Sequence, residues 1–322
     1  MTNSKISVVY ITGYGHSGST LLDRILGTCP DFFSTGELCN LWSTLADKEA
    51  RCSCNQTLND CGLWRAVLAD LRNECSEELH DIESLFRFLL CKRHLPTLLW
   101  TELQSRCYRE NYHKLLRVLA CLYAAIAKAS QSQVIIDSSK NPFYALMLSQ
   151  LPNVSLHIIH LVRDSRAVSY SQIRKARKKA NIEKTSSSEC LRVVRNALSW
   201  NFYNVMPRML LPKETPYMRV QFQDLALHPG ETLRKILKHF QFDQSAVQHF
   251  ETTLPGKRIC LQPGHLVAGN RMRFKHGAID LIADAEWQSS MNYRYKLLVQ
   301  FLTCPIYLWF KFLNSINRHQ TT

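Results

Sequence analysis

A glycine- and serine-rich stretch near the start of the chain constrains the fold more than any other feature. Residues 13–20 read GYGHSGST, follow the apolar run 6–11 and lead into a second apolar segment that begins after Thr20. This order predicts a strand, a tight loop and a helix, in which small residues let backbone N–H groups close on an anion at the helix N-terminus. The nucleotide triphosphatase loop has a lysine where this chain has Ser19, which argues against ATP hydrolysis.

Apolar segments alternate with helical patterns along the rest of the chain. We expect strands at 133–137, 155–162 and 217–222, helices from Ser19, near Asp164 and around 231–240, and a helical insertion at about 45–130. Strands that alternate with helices predict a parallel sheet covered on both faces. The predicted fold class is α/β, a P-loop-like parallel β-sheet flanked by helices in a single domain over 1–322. Ligands of such sheets bind beyond the carboxyl ends of the strands, where the first loop lies.

The charge balance favours anionic partners. The chain has 40 Lys and Arg against 26 Asp and Glu, which gives a net charge of +14. The run 174–179 places five cations in six positions. It is either a solvated helix end or the lining of an acceptor cleft that attracts an anionic polymer or an acidic peptide. We expect no nucleic-acid partner, because the run lacks interleaved aromatic residues.

The last apolar segment bears on location. It covers 297–313, is interrupted by Gln300, Pro305 and Lys311, and is shorter than the ~20 residues that span a bilayer. It predicts a helix that packs on the core or lies at a membrane surface. The first strand begins almost at Met1 and leaves no room for a signal peptide, so we expect a cytoplasmic protein, peripheral to a membrane if that helix lies on one.

A second motif follows the predicted strand 155–162. Arg163 ends this strand, and Ser171 lies two turns into the helix that starts near Asp164. Both side chains can therefore contact one phosphate from different sides.

Together with the loop 13–20, this pair resembles the sulfotransferases that use 3′-phosphoadenosine 5′-phosphosulfate (PAPS), above all the tyrosylprotein sulfotransferases and bacterial sulfotransferases like them. The resemblance covers residues 6–40 and 133–171 and continues more weakly through 221–225. It implies that the 5′-phosphosulfate of this co-substrate is bound by loop residues, namely Gly15, His16, Ser17, Gly18, Ser19 and Thr20. It also implies that Arg163 and Ser171 bind the 3′-phosphate.

The same resemblance implies further roles. Glu37 corresponds to the catalytic base, Lys140 to the lysine that stabilises the transition state, and Phe222 to a residue near the adenine. Arg271 and Arg273 lie in a basic, glycine-bearing segment at 264–274 that corresponds to a loop touching the 3′-phosphate.

Sulfuryl transfer requires a base for the acceptor proton and a cation for the leaving oxygen. Glu37 can supply the first, and Lys140 and His16 can supply the second, without a metal. His16 stands where the relatives usually carry lysine or arginine, and an imidazole of ordinary pKa, ~6.5, is cationic only in part at neutral pH.

Cysteines raise the question of a metal. Cys52, Cys54 and Cys61, with Cys39 nearby, form a C-x-C pair followed after six residues by a single cysteine. This spacing departs from the paired C-x-x-C of zinc sites, so we expect no metal.

The sequence thus predicts a PAPS-dependent sulfotransferase acting on a hydroxyl acceptor, with a carbohydrate or glycolipid first and a tyrosine second. Two alternatives stay open. Asp137 ends an apolar strand as a magnesium-binding Walker B aspartate would, which favours a P-loop nucleotide kinase or NTPase. A catalytically inactive homologue that binds anions is the other alternative.

Overall fold

Five parallel strands form the central sheet of the computed structural model. The structure describes residues 5–75, 79, 81–91, 97, 104–180, 186–254 and 256–319, and for 179–180, 186–188 and 312–319 it describes the backbone alone. The strands are β1 Ile6–Thr12, β2 Phe32–Gly36, β3 Val134–Lys140, β4 Val154–Val162 and β5 Tyr217–Gln221. Their order across the sheet is β2-β3-β1-β4-β5. The first strand is central, so the loop that follows it lies in the middle of the carboxyl edge.

Helices surround this sheet. In chain order they are α1 Ser19–Leu26, α2 Leu41–Ala46, α3 Gly62–Cys75, α4 Ile82–Leu89, α5 Arg106–Ser130, α6 Pro142–Ser149, α7 Ser165–Ala180, α8 Ser186–Leu210, α9 Phe222–Leu227, α10 Pro229–His239, α11 Gln244–Thr253, α12 Glu286–Ser290 and α13 Tyr293–His319. The short strands β6 Arg258–Leu261 and β7 Gly277–Asp280 form a separate antiparallel pair.

Both faces of the sheet are buried, and alternate residues of one strand serve different cores. Val8 and Tyr10 of β1 belong to the core covered by α3, α5 and α6. Val9 and Ile11 belong to the core covered by α1, α10 and α11. A strand buried on both faces needs a continuous apolar run, which is what residues 6–11 provide.

The expected α/β architecture is confirmed, with differences in detail. The predicted strands are present, but β3 extends to Lys140, and Phe222 begins α9 instead of ending β5. The insertion contains α3, α4 and α5. Sequence patterns predicted neither β2 nor the β6–β7 pair.

The C-terminal apolar segment forms part of α13, which is longer than expected. Its buried residues Val299, Thr303 and Phe310 face the protein, and Phe310 lies edge-on to Trp200 of α8. Leu297, Phe301 and Leu308 are exposed. Among the described residues, no helix combines the length and apolar character that a membrane crossing requires.

Candidate functional site

The loop between β1 and α1 has the tight geometry that its glycines predict. Gly13 has a φ of 129°, and a Cβ there would lie 2.3 Å from the carbonyl oxygen of Leu161. Gly18 caps α1 with a φ of 92°, and a Cβ there would lie 2.4 Å from Cε2 of Phe222. Larger residues at either position would both strain the backbone and displace their neighbours.

This loop is a candidate anion cradle. Ser19 and Thr20 begin α1, whose first N–H groups have no partner within the helix. The hydroxyl of Ser17 is buried and finds no hydrogen-bond partner in the described part of the chain. A buried hydroxyl without a partner costs free energy, and a bound anion would satisfy it.

Glu37 follows β2 and Lys140 ends the neighbouring strand β3, so the two meet at the carboxyl edge. Nζ of Lys140 donates to Oε1 of Glu37 at 2.6 Å and to the carbonyl of Ser138 at 2.8 Å. Asn40 donates to Oε2 of Glu37 at 3.0 Å. The side chains are only 21% and 13% exposed, so the pair is held in place and partly shielded from water. The sequence predicted both residues, and the fold brings them into contact.

Arg163 and Ser171 also lie at this edge. Arg163 donates to the carbonyl of His16 at 2.8 Å and to the carboxylate of Asp284 at 2.9 Å. Its guanidinium lies 4.9 Å from the ring centre of Phe222. The hydroxyl of Ser171 is 2.8 Å from Nδ1 of His16. The predicted 3′-phosphate pair therefore contacts the predicted phosphosulfate loop directly.

His16 is not a cation in this environment. Burial and, to a smaller extent, the neighbouring cations Lys175, Arg163 and Lys140 together lower its pKa to about 4. The imidazole is therefore neutral at neutral pH, whereas its ordinary pKa predicted a partly cationic group. A bound polyanion would raise this pKa again.

One cavity of about 440 Å³ joins these groups. Its lining includes most of the predicted site residues: Gly15, His16, Gly18, Ser19, Thr20, Glu37, Lys140, Arg163, Ser171 and Phe222. Lys175 of the basic run, and Asn270 and Met272 of the segment 264–274, line it as well. The predicted donor-binding residues Arg271, which is exposed, and Arg273, which donates to the carbonyl of Gly269 at 2.7 Å, are not among its lining residues.

The side chains of the basic run 174–179 have different environments. Arg174 pairs with Glu286, and Arg177 pairs with Glu189. Lys175 faces the cavity. Of the described side chains of the run, only this one joins the site.

Asp137 is saturated by internal contacts. It is fully buried, accepts from Tyr123 at 2.5 Å and from the Ser139 amide at 2.8 Å, and is also contacted by the Ser139 hydroxyl. Burial raises its pKa to about 6. A Walker B aspartate faces its metal at the active-site edge, so the kinase interpretation loses its main support.

The fold separates Cys39 from the other three cysteines, Cys52, Cys54 and Cys61. Cys39 lies beside β3, where its amide donates to Ser139. Cys52, Cys54 and Cys61 lie together, and His265 joins them from a distant part of the chain. The cysteine spacing did not indicate this histidine, which is 204 residues from Cys61.

Several solved structures are similar to the chain at low sequence identity. The chain is similar to the sulfotransferase domain from the curacin biosynthetic pathway, with 15% identity over 94% of this chain and 98% of that chain and a TM-score of 0.48. It is also similar to the sulfotransferase domain from the Synechococcus PCC 7002 olefin synthase, with 19% identity, coverages of 93% and 95%, and a TM-score of 0.44. It is similar as well to sulfotransferase STF1 from Mycobacterium tuberculosis H37Rv, with 15% identity over 77% of this chain and 72% of that chain and a TM-score of 0.42. No curated protein matches the chain in sequence.

The family comparison covers most of the site. The sequence model described as the sulfotransferase family matches residues 8–245, which include the anion cradle, Glu37, Lys140 and the Arg163–Ser171 pair. The match spans well over half of the 322 residues. The chain therefore belongs to the sulfotransferase family.

Proposed function

We propose that the protein transfers the sulfuryl group of PAPS to a hydroxyl acceptor. One observation carries this proposal: a single cavity is lined by the anion cradle, by the Glu37–Lys140 pair and by Arg163 and Ser171. A donor with phosphate groups at the 3′ and 5′ positions of its ribose needs two anion-binding regions and a reactive centre within reach of each other. The cavity has all three.

The residues present fit such a donor. Lys140, Arg163 and Lys175 are basic, and the buried hydroxyl of Ser17 lacks a partner among the described residues. Phe222 offers an apolar ring beside Arg163. When bound, PAPS supplies a sulfuryl group on a phosphate leaving group. The protein supplies the positioning and the proton transfer.

Each residue then has a chemical task. Glu37 accepts the proton of the acceptor hydroxyl, and its orientation is fixed by Asn40 and Lys140. Lys140 stabilises the charge that develops on the leaving oxygen. His16, held by Ser171, contributes a hydrogen bond and gains positive charge when an anion raises its pKa.

We propose a carbohydrate or glycolipid hydroxyl as the acceptor, with a tyrosine hydroxyl as the second candidate. Lys175, which faces the cavity, supports an acceptor with some negative charge. The exposed apolar residues Leu297, Phe301 and Leu308 of α13 support peripheral contact with a membrane, where a glycolipid would be available. Flotation with anionic vesicles, compared with a Phe301→Ser variant, tests this contact. The cytoplasmic location stays a prediction.

Two measurements test the proposal. Calorimetric titration should show binding of adenosine 3′,5′-bisphosphate and much weaker binding of ATP with magnesium. The reverse preference would contradict the proposal in favour of a kinase or NTPase. Radiolabelled PAPS offered with sugar, lipid, phenol and peptide acceptors then identifies the product. Bisphosphate binding without transfer to any acceptor, and without an effect of Glu37→Ala, would identify an inactive homologue.

A further inference from the structure

Three cysteines and one histidine converge next to the transfer site. One ligand atom each from Cys52, Cys54, Cys61 and His265 all lie within 4.8 Å of one another. Nδ1 of His265 is 3.2 Å from Sγ of Cys61 and 3.9 Å from Sγ of Cys52. In a tetrahedral site with Zn–S bonds of about 2.3 Å, neighbouring sulfur ligands are about 3.8 Å apart. Small side-chain movements would bring the four groups to that geometry.

The backbone around the cysteines is well defined. The amide of Cys52 donates to the carbonyl of Gln56, and the amide of Asn55 donates back to the carbonyl of Cys52, both at 2.8 Å. Asn55 has a φ of 71°, which closes this turn and brings Cys54 beside Cys52. Cys61 directly precedes α3. Cys52 and Cys61 are fully buried.

The backbone around His265 is held in position by hydrogen bonds. The indole N–H of buried Trp64 donates to the carbonyl of His265 at 2.7 Å. The next residue, Leu266, exchanges hydrogen bonds with Ser53 at 2.8 Å and 3.0 Å. The histidine thus belongs to a segment that is bonded to the cysteine turn itself.

We propose that Cys52, Cys54, Cys61 and His265 bind one zinc ion in a tetrahedral site. Three thiolates and one imidazole form a donor set that suits zinc and fills its four positions, which makes the site structural. All three cysteines are free thiols. Zinc with three thiolates carries one net negative charge, and the guanidinium of Arg273 interacts electrostatically with Cys52. The expectation of no metal rested on cysteine spacing alone, to which His265 did not contribute.

The site has a structural consequence for catalysis. Beyond His265, Val267 donates to the carbonyl of Thr35, and Ala268 accepts from the amide of Glu37 at 3.2 Å. A Cβ on Gly269 would lie 3.2 Å from Oγ1 of Thr20. Zinc would therefore anchor the segment that supports the backbone of the proposed base.

Metal analysis tests the proposal. The full chain, purified under reducing conditions from zinc-supplemented medium, should contain about one zinc per chain by inductively coupled plasma mass spectrometry. Cys61→Ser should lower the zinc content severalfold. The matched control Cys260→Ser, at an exposed thiol, should keep it. Cobalt added to the zinc-free wild type should give the visible bands of tetrahedral thiolate coordination, which covers the case in which Cys61→Ser fails to fold.

Clear outcomes would overturn the inference. These are a folded wild type that takes up neither zinc nor cobalt, a disulfide among the three cysteines in the reduced preparation, or equal zinc loss in Cys260→Ser and Cys61→Ser. The measurement does not depend on sulfuryl transfer. Failure of one proposal therefore leaves the other standing.

Discussion

The Glu37–Lys140 contact gives the sharpest test of the proposed chemistry. Glu37→Gln keeps the size of the side chain and can keep the hydrogen bond from Asn40, but it removes the proton acceptor. A positioned general base contributes about 10²–10⁴ in rate. At about 1.4 kcal/mol for each factor of ten, the variant should lose about 3–5 kcal/mol of transition-state stabilisation.

A second substitution at Lys140, the ion-pair partner of Glu37, extends this test to a double-mutant cycle. Lys140→Met removes the cation that lies 2.6 Å from Glu37. Residues in direct contact that serve one step have non-additive effects. The double variant should therefore lie within about a factor of ten of the slower single variant. Fully additive losses would show that the two groups act independently.

The assay separates chemistry from binding. Transfer of radiolabelled sulfuryl from PAPS gives kcat, and calorimetry gives the affinity for adenosine 3′,5′-bisphosphate. Glu37→Gln should change kcat and leave the affinity within a factor of about three, because a base acts on the acceptor proton. Glu231→Gln, at an exposed glutamate paired with Lys235, is the matched control and should behave like the wild type. Near-normal kcat in a folded Glu37→Gln variant would refute the assignment of the base.

Three further changes probe the neighbouring charges. His16→Arg should keep transfer activity and flatten the alkaline side of the pH profile of kcat/KM. The imidazole, whose pKa is about 4 without donor, must gain a proton to become cationic, whereas arginine is always cationic. A folded, inactive variant would contradict this. Asp284→Asn should tighten bisphosphate binding by up to about fivefold, since it frees Arg163 from an ion pair worth about 0.2–1 kcal/mol, and calorimetry showing weaker binding would contradict it. Burial raises the pKa of Asp23 from 3.8 to about 7, so the unfolded chain releases this proton first and stability falls as the pH rises through that interval. Asp23→Asn should flatten that fall in thermal melts, and an unchanged slope would contradict the assignment.

The sequence predicted the sheet best where strands are buried on both faces. β1 and β4 are mostly apolar and largely buried, a pattern typical of strands covered on both faces. β2 was missed because it is short and half polar. Its Thr35 is fully buried only because the hydroxyl donates to the carbonyl of Ile136 at 2.8 Å in the neighbouring strand. That compensation is a tertiary contact, and a local pattern cannot show it.

The residues of the candidate site also differ in whether a local sequence pattern can predict them. Loop residues and the Arg163–Ser171 pair have fixed local spacing, so motif reasoning could place them. His265 is 204 residues from Cys61, and Asp284 is 121 residues from Arg163. Neither has a local signal. The depressed pKa of His16 is also a collective effect, because burial and three or more surrounding cations produce it together.

The segment that follows His265 determines how mutations near the site should be interpreted. One end is bonded to the cysteine turn through Leu266 and Ser53. The other end is fixed by buried Arg24 of α1, which donates to the carbonyl of Met272 at 2.8 Å and also to that of Lys275. Hydrogen bonds from a charged donor contribute about 1.5–3 kcal/mol each, so this anchor is strong. Between the two ends, the segment supports the backbone of Glu37, whose amide donates to the carbonyl of Ala268 at 3.2 Å. Loss of activity on changing Cys61 or Arg24 would therefore reflect displacement of the base. Loss of activity on changing Glu37 would reflect the proton transfer itself. Only the change at Glu37 should leave zinc content and thermal stability close to those of the wild type.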